Sequence, residues 1–404
     1  KADDQYSDLC EKCGRVPEEI ENPHCSICGQ TPVKKKTKHY FFKLKNFSDK
    51  ISQYLNDNKN LQKDVKKYVQ NWIKDGLTDW DITRDISWGI PIPDGGANQK
   101  VFYGWFDNHL AYISSTIKFL NGNGKDGKKF WNESDIYHFI GKDIVYHHYL
   151  FLPAMRLGIE EEYKLPDYIP TRGHLTLQSK KISKSRNWYI GLKDFLAIFP
   201  ADYLRFYLIS INPYSQDDLN FNWGEFATKI NSELIGNLGN LVNRALGFTV
   251  KSFNGAVPGP DEFDDIDNES KKMINELVSQ LGILMEENHL DRALKKILQF
   301  SAHFNQYFQH KEPWKNGPGT NTCVFLSVNA IRSLAIAVYP FLPESSQKIW
   351  LQLGLDGNVS AQMFDEISNI TLKQGHKLGS VSPLFEKVEE SVIEEQKSKL
   401  GASS

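Results

Sequence analysis

Ile136-Tyr137-His138-Phe139-Ile140-Gly141, followed at once by apolar residues at helical spacing over 144–156, is the passage whose reading decides the fold. A short apolar run closed by glycine and then a 3.6-residue period reads as a strand leading into a helix. The same order stands upstream, where Val101-Phe102-Tyr103-Gly104-Trp105-Phe106 precedes 110–120, and downstream, where 173–177 precedes 192–198. Strand alternating with helix predicts a parallel sheet. Ligands of such sheets bind beyond the carboxyl ends of the strands, and those ends carry Asp107, Gly141, Lys142, Asp143 and the run Lys181-Ile182-Ser183-Lys184-Ser185.

That lysine–serine run has the composition of a phosphate-handling loop. Lys181 and Lys184, spaced i, i+3 and interleaved with hydroxyls, can neutralise charge developing on a transferring phosphoryl group, while Ser183 and Ser185 can donate to its oxygens. In isolation the same residues read equally as a solvated basic turn. Their place after the last strand of a parallel sheet favours the chemical reading.

Beyond Trp223 the pattern is helical almost to the end, with helices expected over 223–253, 270–287, 290–308, 323–338 and 344–353 and Gly/Pro-rich turns between them. In the first of these, Asn237, Asn240 and Arg244 lie at i, i+3 and i+7 and share one face. Amide and guanidinium groups suit base edges, although a solvent-facing polar stripe has the same spacing. Trp314 after Pro313 is either an aromatic platform or a helix-end plug. The last stretch, 379–404, is a polar tail in which Val388, Val392 and Ile393 mark a short final helix.

Towards the other end, Cys10-x-x-Cys13-Gly14 and Cys25-x-x-Cys28-Gly29 bracket a short loop. Each turn can point two thiolates at one centre while glycine lets the backbone curl, the pattern of a closed structural zinc site. Two disulfides or unpaired thiols are the other readings of four cysteines. A short strand is expected at 39–44 and helical spacing over 47–73, and the Pro/Gly-rich stretch up to Gly96 places a boundary near Ala97.

Composition bounds the rest. The 404 residues are too many for one core, and 48 Lys+Arg against 50 Asp+Glu leave no global basic field, so a nucleic-acid partner must be met by a local patch. Clustered cysteines suit a metal site in a reducing compartment, so a cytoplasmic location is expected. The apolar run 195–211, the best candidate for a membrane span, is broken by Pro200, Asp202 and Arg205, and no membrane partner is expected.

Taken in order, several motifs resemble the methionyl-tRNA synthetase family of class I enzymes, its archaeal and eukaryotic members in particular. They are the cysteine knuckle, Trp105-Phe106-Asp107, Phe139-Ile140-Gly141-Lys142-Asp143-Ile144, the lysine–serine loop, the run 199–205, Asn231-Ser232-Glu233-Leu234 leading to Asn240 and Arg244, and Pro313-Trp314. The resemblance implies an α/β plus all-α chain: a partial class I Rossmann-type parallel sheet, a zinc-knuckle connective insertion and a C-terminal anticodon-binding helix bundle. The corresponding division is 1–97 for the knuckle and connective remainder, 98–170 for the second Rossmann half, 171–222 for the loop and stem-contact region, 223–378 for the bundle and 379–404 for the tail.

The activity so implied is methionine–tRNA ligation, in which ATP with Mg2+ activates methionine to methionyl-adenylate and the methionyl group passes to methionine tRNA. By the same resemblance, Lys181, Ser183, Lys184 and Ser185 form the adenylation loop, with Ile182 in place of a methionine. Gly141 and Asp143 contact the ribose, and His174 and Leu175 border the adenine. Trp80, Trp105, Tyr112, Ile144 and His148 line the methionine pocket, approached by Arg84. Asn240, Arg244 and Trp314 read the anticodon, and Cys10, Cys13, Cys25 and Cys28 hold structural Zn2+. Without the resemblance, Trp105 and Tyr112 read as core.

The chain departs from the family pattern at Asn108 and His109, at His147, and at Leu152 where a pocket tryptophan is usual. No H-x-G-H occurs in the 404 residues. The family's half-sheet bearing that signature is therefore expected as an upstream segment or separate chain. Two further readings are a non-catalytic tRNA-binding module and a synthetase for another aliphatic amino acid.

Overall fold

Residues 21–24, 29–33, 36–93, 100–184 and 186–401 are described by the computed structural model. Cys10, Cys13, Cys25, Cys28 and Ser185 lie outside them. Two compact units form: Lys1–Lys50 with Ile73–Trp131, and Ile51–Trp72 with Asn132–Ser404.

In the first unit, Phe41–Phe42 pairs antiparallel with Trp80–Asp81, and Thr83–Arg84 pairs antiparallel with Val101–Phe102. The expected strand at 39–44 is thus two residues long and gives way to a 3₁₀ turn, Leu44–Phe47. The expected strand at 101–106 is shorter too, because the helix Gly104–Gly122 begins inside it. Its aromatic residues do not alternate across a sheet. Phe102 and Phe106 stack at 5.4 Å and Trp105 and His109 approach at 6.2 Å, the i, i+4 neighbours of a helical turn. This first strand–helix repeat also pairs antiparallel, so it does not belong to the parallel sheet that the sequence pattern suggests.

The other two repeats do pair in parallel, both within the second unit. Ile140–Gly141 lies beside Thr171–Arg172, and Leu175–Leu177 lies beside Leu219–Phe221. The helical stretch after Gly141 is continuous but uneven, passing from a 3₁₀ turn, Lys142–Ile144, through a π segment, His147–Phe151, to Leu152–Leu157. Beneath the 175–177 strand lies a block of rings, Phe195, Phe199, Phe221, Trp223 and Phe226, with successive centroids 5 to 6 Å apart. Trp223 and Phe226 are buried, each worth about 1.5–3 kcal/mol of apolar transfer.

The bundle follows. Trp223–Lys229, a π segment Ile230–Gly239 and Asn240–Phe253 run on as one helical stretch, then come Asp265–Glu286, Leu290–Lys311, Thr320–Val338 and Pro343–Gln352, with a short Glu390–Ser398 near the end. Ile274, Leu277 and Leu281 of one helix, Ile297, Phe300 and Phe304 of the next, and Ala330, Ile331 and Leu334 of Thr320–Val338 share one core, in keeping with the period that predicts them. Helix Ala201–Ser210 is tied to Pro343–Gln352 by buried Asp202, whose Oδ2 accepts from Ser345 N and Oγ, both at 2.6 Å. Among the described residues Thr320–Val338, not 195–211, is the helix long and apolar enough to cross a bilayer, but 89% of that window is buried inside the bundle. Its largest polar members are held by neighbouring backbone: Asn329 Nδ2 donates to Leu372 O at 3.1 Å and Arg332 Nη1 to Glu366 O at 2.8 Å.

Candidate functional site

The lysine–serine stretch is the far arm of a β-hairpin. Leu175–Leu177 pairs antiparallel with Lys180–Lys181, so only Gln178 and Ser179 make the turn. Both have positive φ, 49° and 60°, the two-residue turn whose twist matches the flanking strands. Asn220 supports it by accepting from Ser179 N at 2.6 Å and Thr176 Oγ1 at 3.2 Å. Past Lys181 a second turn is closed by Ser183 and Trp188, whose backbones exchange two hydrogen bonds of 2.8 Å. Trp188 Nε1 donates to Leu177 O at 2.8 Å, and Lys180 Nζ lies 4.4 Å from the Trp188 ring centroid. The hairpin therefore stands on a paired, aromatic base and carries exposed Lys181 and Lys184 outward.

Beside its first strand, where Ile140–Gly141 ends and Leu175–Leu177 begins, Gly141, Asp143, His174 and Leu175 come together. His174 Nε2 lies 3.3 Å from Asp143 Oδ1. A Cβ on Gly173 would overlap the Asp217 carbonyl, so that close approach needs glycine, whereas one on Gly141 would meet Asp143 Oδ1 at 2.5 Å and push that carboxyl aside. Asp218, which sequence reasoning missed, joins the two loops: its Oδ1 accepts from Lys142 Nζ at 2.8 Å and from the His174 backbone N–H at 2.7 Å. The Lys142 hydrogen bond holds the Asp218 carboxyl below its usual range, with the His174 amide helping. Nothing in the local sequence pairs residue 218 with 142 and 174; only strand pairing does.

Ile144 and His148 lie on the next turns. His148 is buried and its Nδ1 sits 3.1 Å from Ile144 O, which makes Nδ1 the protonated nitrogen of a neutral ring. Burial lowers its pKa, and burial lowers that of His138, 5.5 Å away ring to ring, to about 3. His147 is lowered to about 4, also by burial. At neutral pH this wall is uncharged, a surface fit for an uncharged side chain.

Trp80, Arg84, Trp105 and Tyr112 belong to the first unit. The core reading of Trp105 and Tyr112 is corrected here, since they are 37% and 45% exposed. The residues that their helix buries are Ile113 and His109, the latter one turn from Trp105 and 6.3 Å from the Trp80 ring. The departure from family pattern at His109 thus sits between two of the expected pocket tryptophans. Arg84 stacks 3.7 Å over Tyr103 and its Nη1 contacts Asp81 Oδ2 at 3.1 Å.

A second cluster forms in the bundle. Asn237 Nδ2 donates to Leu298 O, Asn240 Nδ2 to Asn305 Oδ1 at 2.9 Å, and Arg244 Nη2 to Gln309 Oε1 at 2.6 Å, so the shared face predicted for these residues lies against helix Leu290–Lys311. The Arg244 guanidinium sits 5.0 Å from the Trp314 ring, which is 41% exposed and 6.4 Å from Phe308. An exposed indole beside a guanidinium and two amides can stack one base and bond the edges of another. At the opposite end of that helix, Arg172 Nη2 donates to Asn288 O at 2.8 Å and its guanidinium lies 4.3 Å from the Tyr214 ring.

Residues 1–246 match the family model for tRNA synthetases class I (M), and residues 257–404 match that for the anticodon binding domain of methionyl tRNA ligase. The chain belongs to the methionyl-tRNA synthetase family. It is 38% identical over 412 residues to a methionine–tRNA ligase of Methanopyrus kandleri, covering 100% of this chain and 60% of that one. The ligase of Sulfolobus acidocaldarius is 36% identical over 399 residues, covering 96% and 70%. Among solved structures, Mycobacterium tuberculosis methionyl-tRNA synthetase in complex with methionyl-adenylate superposes with a TM-score of 0.78 at 26% identity, covering 89% of this chain and 70% of that one. The fold is accordingly that of a class I synthetase with an anticodon-binding helical domain. The chain spans about 60% of the length of the first curated relatives it matches.

Proposed function

We propose that this chain takes part in methionine–tRNA ligation: methionine reacts with ATP to give methionyl-adenylate and pyrophosphate, and the methionyl group then passes to methionine tRNA. The observation that carries this reading is the convergence of Gly141, Asp143, His174 and Leu175 beside the hairpin bearing Lys181, Ser183 and Lys184. Asp143 and His174 offer an acceptor and a donor to a nucleoside, and the hairpin lysines offer charge to its phosphates, helped by Mg2+ brought in with ATP. Ser185 is assigned to the same loop from its place in the motif. His148 and Ile144 are assigned to methionine, as are Trp80, Trp105, Tyr112 and Arg84 from their places in the sequence motifs, and the Asn240, Arg244 and Trp314 cluster to the CAU anticodon. Four thiolates in two C-x-x-C-G turns fit tetrahedral zinc, so Cys10, Cys13, Cys25 and Cys28 are assigned structural Zn2+. A cytoplasmic location goes with that reduced donor set.

In this reading the side of the phosphate site that carries H-x-G-H comes from outside these 404 residues. Methionine-dependent ATP–pyrophosphate exchange tests it, run with the chain alone and with the corresponding segment of a relative added. Exchange with methionine, and not with leucine, isoleucine or valine, is expected in the second mixture. Lys184→Ala should then cost about 2–4 kcal/mol of transition-state stabilisation while tRNA affinity changes little. Exchange at full rate in that variant, or binding of methionine tRNA without any exchange in either mixture, would refute the catalytic assignment. Zinc content near one per chain, lost on Cys13→Ser, checks the metal.

A further inference from the structure

We propose that Lys311 is a positioning residue for anticodon recognition, its ammonium holding the turn that presents Trp314. The inference rests on the proposed anticodon reading and adds to it a residue remote from the base-facing groups. Lys311 is the last residue of helix Leu290–Lys311, and its buried Nζ lies 2.6 Å from Asp264 Oδ2 and 2.7 Å from Asp267 Oδ1. Helix capping does not account for it. Asp264 and Asp267 already satisfy one another's backbone, Asp267 N to Asp264 Oδ1 at 2.9 Å and Asp264 N to Asp267 Oδ2 at 3.1 Å, so the start of Asp265–Glu286 is complete without a lysine. Tyr307 OH adds a 2.6 Å bond to Asp267 Oδ1. The ammonium therefore does more than finish a cap: it neutralises buried Asp267 and ties the two helices where the chain leaves Leu290–Lys311.

The use of that tie is legible in the next five residues. Glu312 (φ 43°, ψ 52°) and Asn316 (φ 51°, ψ 35°) are left-handed residues bracketing the Pro313–Lys315 turn that carries Trp314, and neither is glycine. Such conformations persist only where surrounding contacts impose them. Lys311 anchors the entrance of the turn, and past its exit the start of the next helix comes near the same Nζ, since a Cβ built on Gly319 would lie 3.6 Å from it. Between them, Trp314 is held near Phe308 and Arg244. Burial alone would lower the Lys311 pKa, but the two carboxylates carry it above the usual value, and the anchor stays charged.

The test uses the 404-residue chain, with Trp314 labelled as 5-fluorotryptophan and assigned by Trp314→Phe, and two synthetic anticodon stem-loops, one with CAU and one with AUC. Wild type should prefer CAU and show one sharp Trp314 fluorine line. Lys311→Met should lose about tenfold of that preference, the size of one base–aromatic stack, and broaden or split the line. Should Lys311→Met fail to fold, the pair Lys311→Met with Asp267→Asn, which leaves no buried charge uncompensated, gives the same readouts. A folded variant with undiminished preference and an unchanged Trp314 line overturns the proposal. A wild-type chain with no CAU preference overturns the anticodon reading, and the fluorine line alone then decides whether Lys311 orders the turn.

Discussion

Replacing Asp218 with alanine removes the carboxylate that ties Lys142, in the loop after Ile140–Gly141, to the backbone at the strand start, His174. The two bonds lost are to Lys142 Nζ and His174 N–H, at 2.8 and 2.7 Å. A hydrogen bond to a charged group contributes about 1.5–3 kcal/mol when shielded. Asp218 is 47% exposed, so the ion pair is screened to less than about 1 kcal/mol, and the shorter backbone bond retains roughly 1.4 kcal/mol. Hydrogen–deuterium exchange reads that bond directly, because 1.4 kcal/mol corresponds to about a tenfold rise in exchange of the His174 amide. The neighbouring Leu219 N–H, which bonds His174 O at 2.8 Å, should change far less, since that bond is untouched. Affinity for an adenine nucleotide should fall with it, as the His174 ring loses its fixed backbone. Unchanged exchange at His174 in Asp218→Ala would refute the claim that Asp218 organises this corner.

The same carboxylate predicts a pH dependence. Because Lys142 depresses its folded pKa, its contribution is fully present above the unfolded value of about 3.9 and is lost as pH falls through the folded one, so wild type and Asp218→Asn should differ by a constant amount from pH 8 to pH 5 and converge below about pH 4. Asp202→Ala leaves the Ser345 amide and hydroxyl without their buried acceptor and should lower bundle stability by roughly 2–4 kcal/mol in a denaturant titration followed by far-ultraviolet circular dichroism. Trp188→Phe keeps the ring but removes the donor to Leu177 O; a cost of about 1 kcal/mol is expected, appearing as weaker ATP use in exchange assays with tRNA binding unaltered.

Where the sequence pattern was informative, it was because the property lies in neighbouring residues. The strands at Ile140–Gly141 and Leu175–Leu177, the helix periods of the bundle and the shared face of Asn237, Asn240 and Arg244 all follow from local spacing. At 101–106 an apolar, aromatic-rich run read as a strand, yet the helix Gly104–Gly122 begins inside it. Trp105 and Tyr112 read as core because size favours burial, yet the helix buries His109 between them. Asp218, Gln309 and Lys311 were not legible, since each acts on partners that only tertiary pairing brings near. The π segments at 147–151 and 230–239 were hidden for another reason: a widened turn leaves the apolar period almost unchanged.

Helix Leu290–Lys311 has no glycine or proline in its 22 residues, and at 1.5 Å per residue it is a straight-edge of about 33 Å. One end begins just past Asn288, where Arg172 of the nucleotide-side strand is seated; the other stops at Lys311, beside Trp314. It is in effect a ruler. Its graduation is the helical turn, so adding or deleting four residues would move the indole by about 6 Å while nearly preserving its heading, and adding two would swing it to the far side. On the proposed anticodon reading, the length of this helix selects the RNA as much as any side chain that touches it.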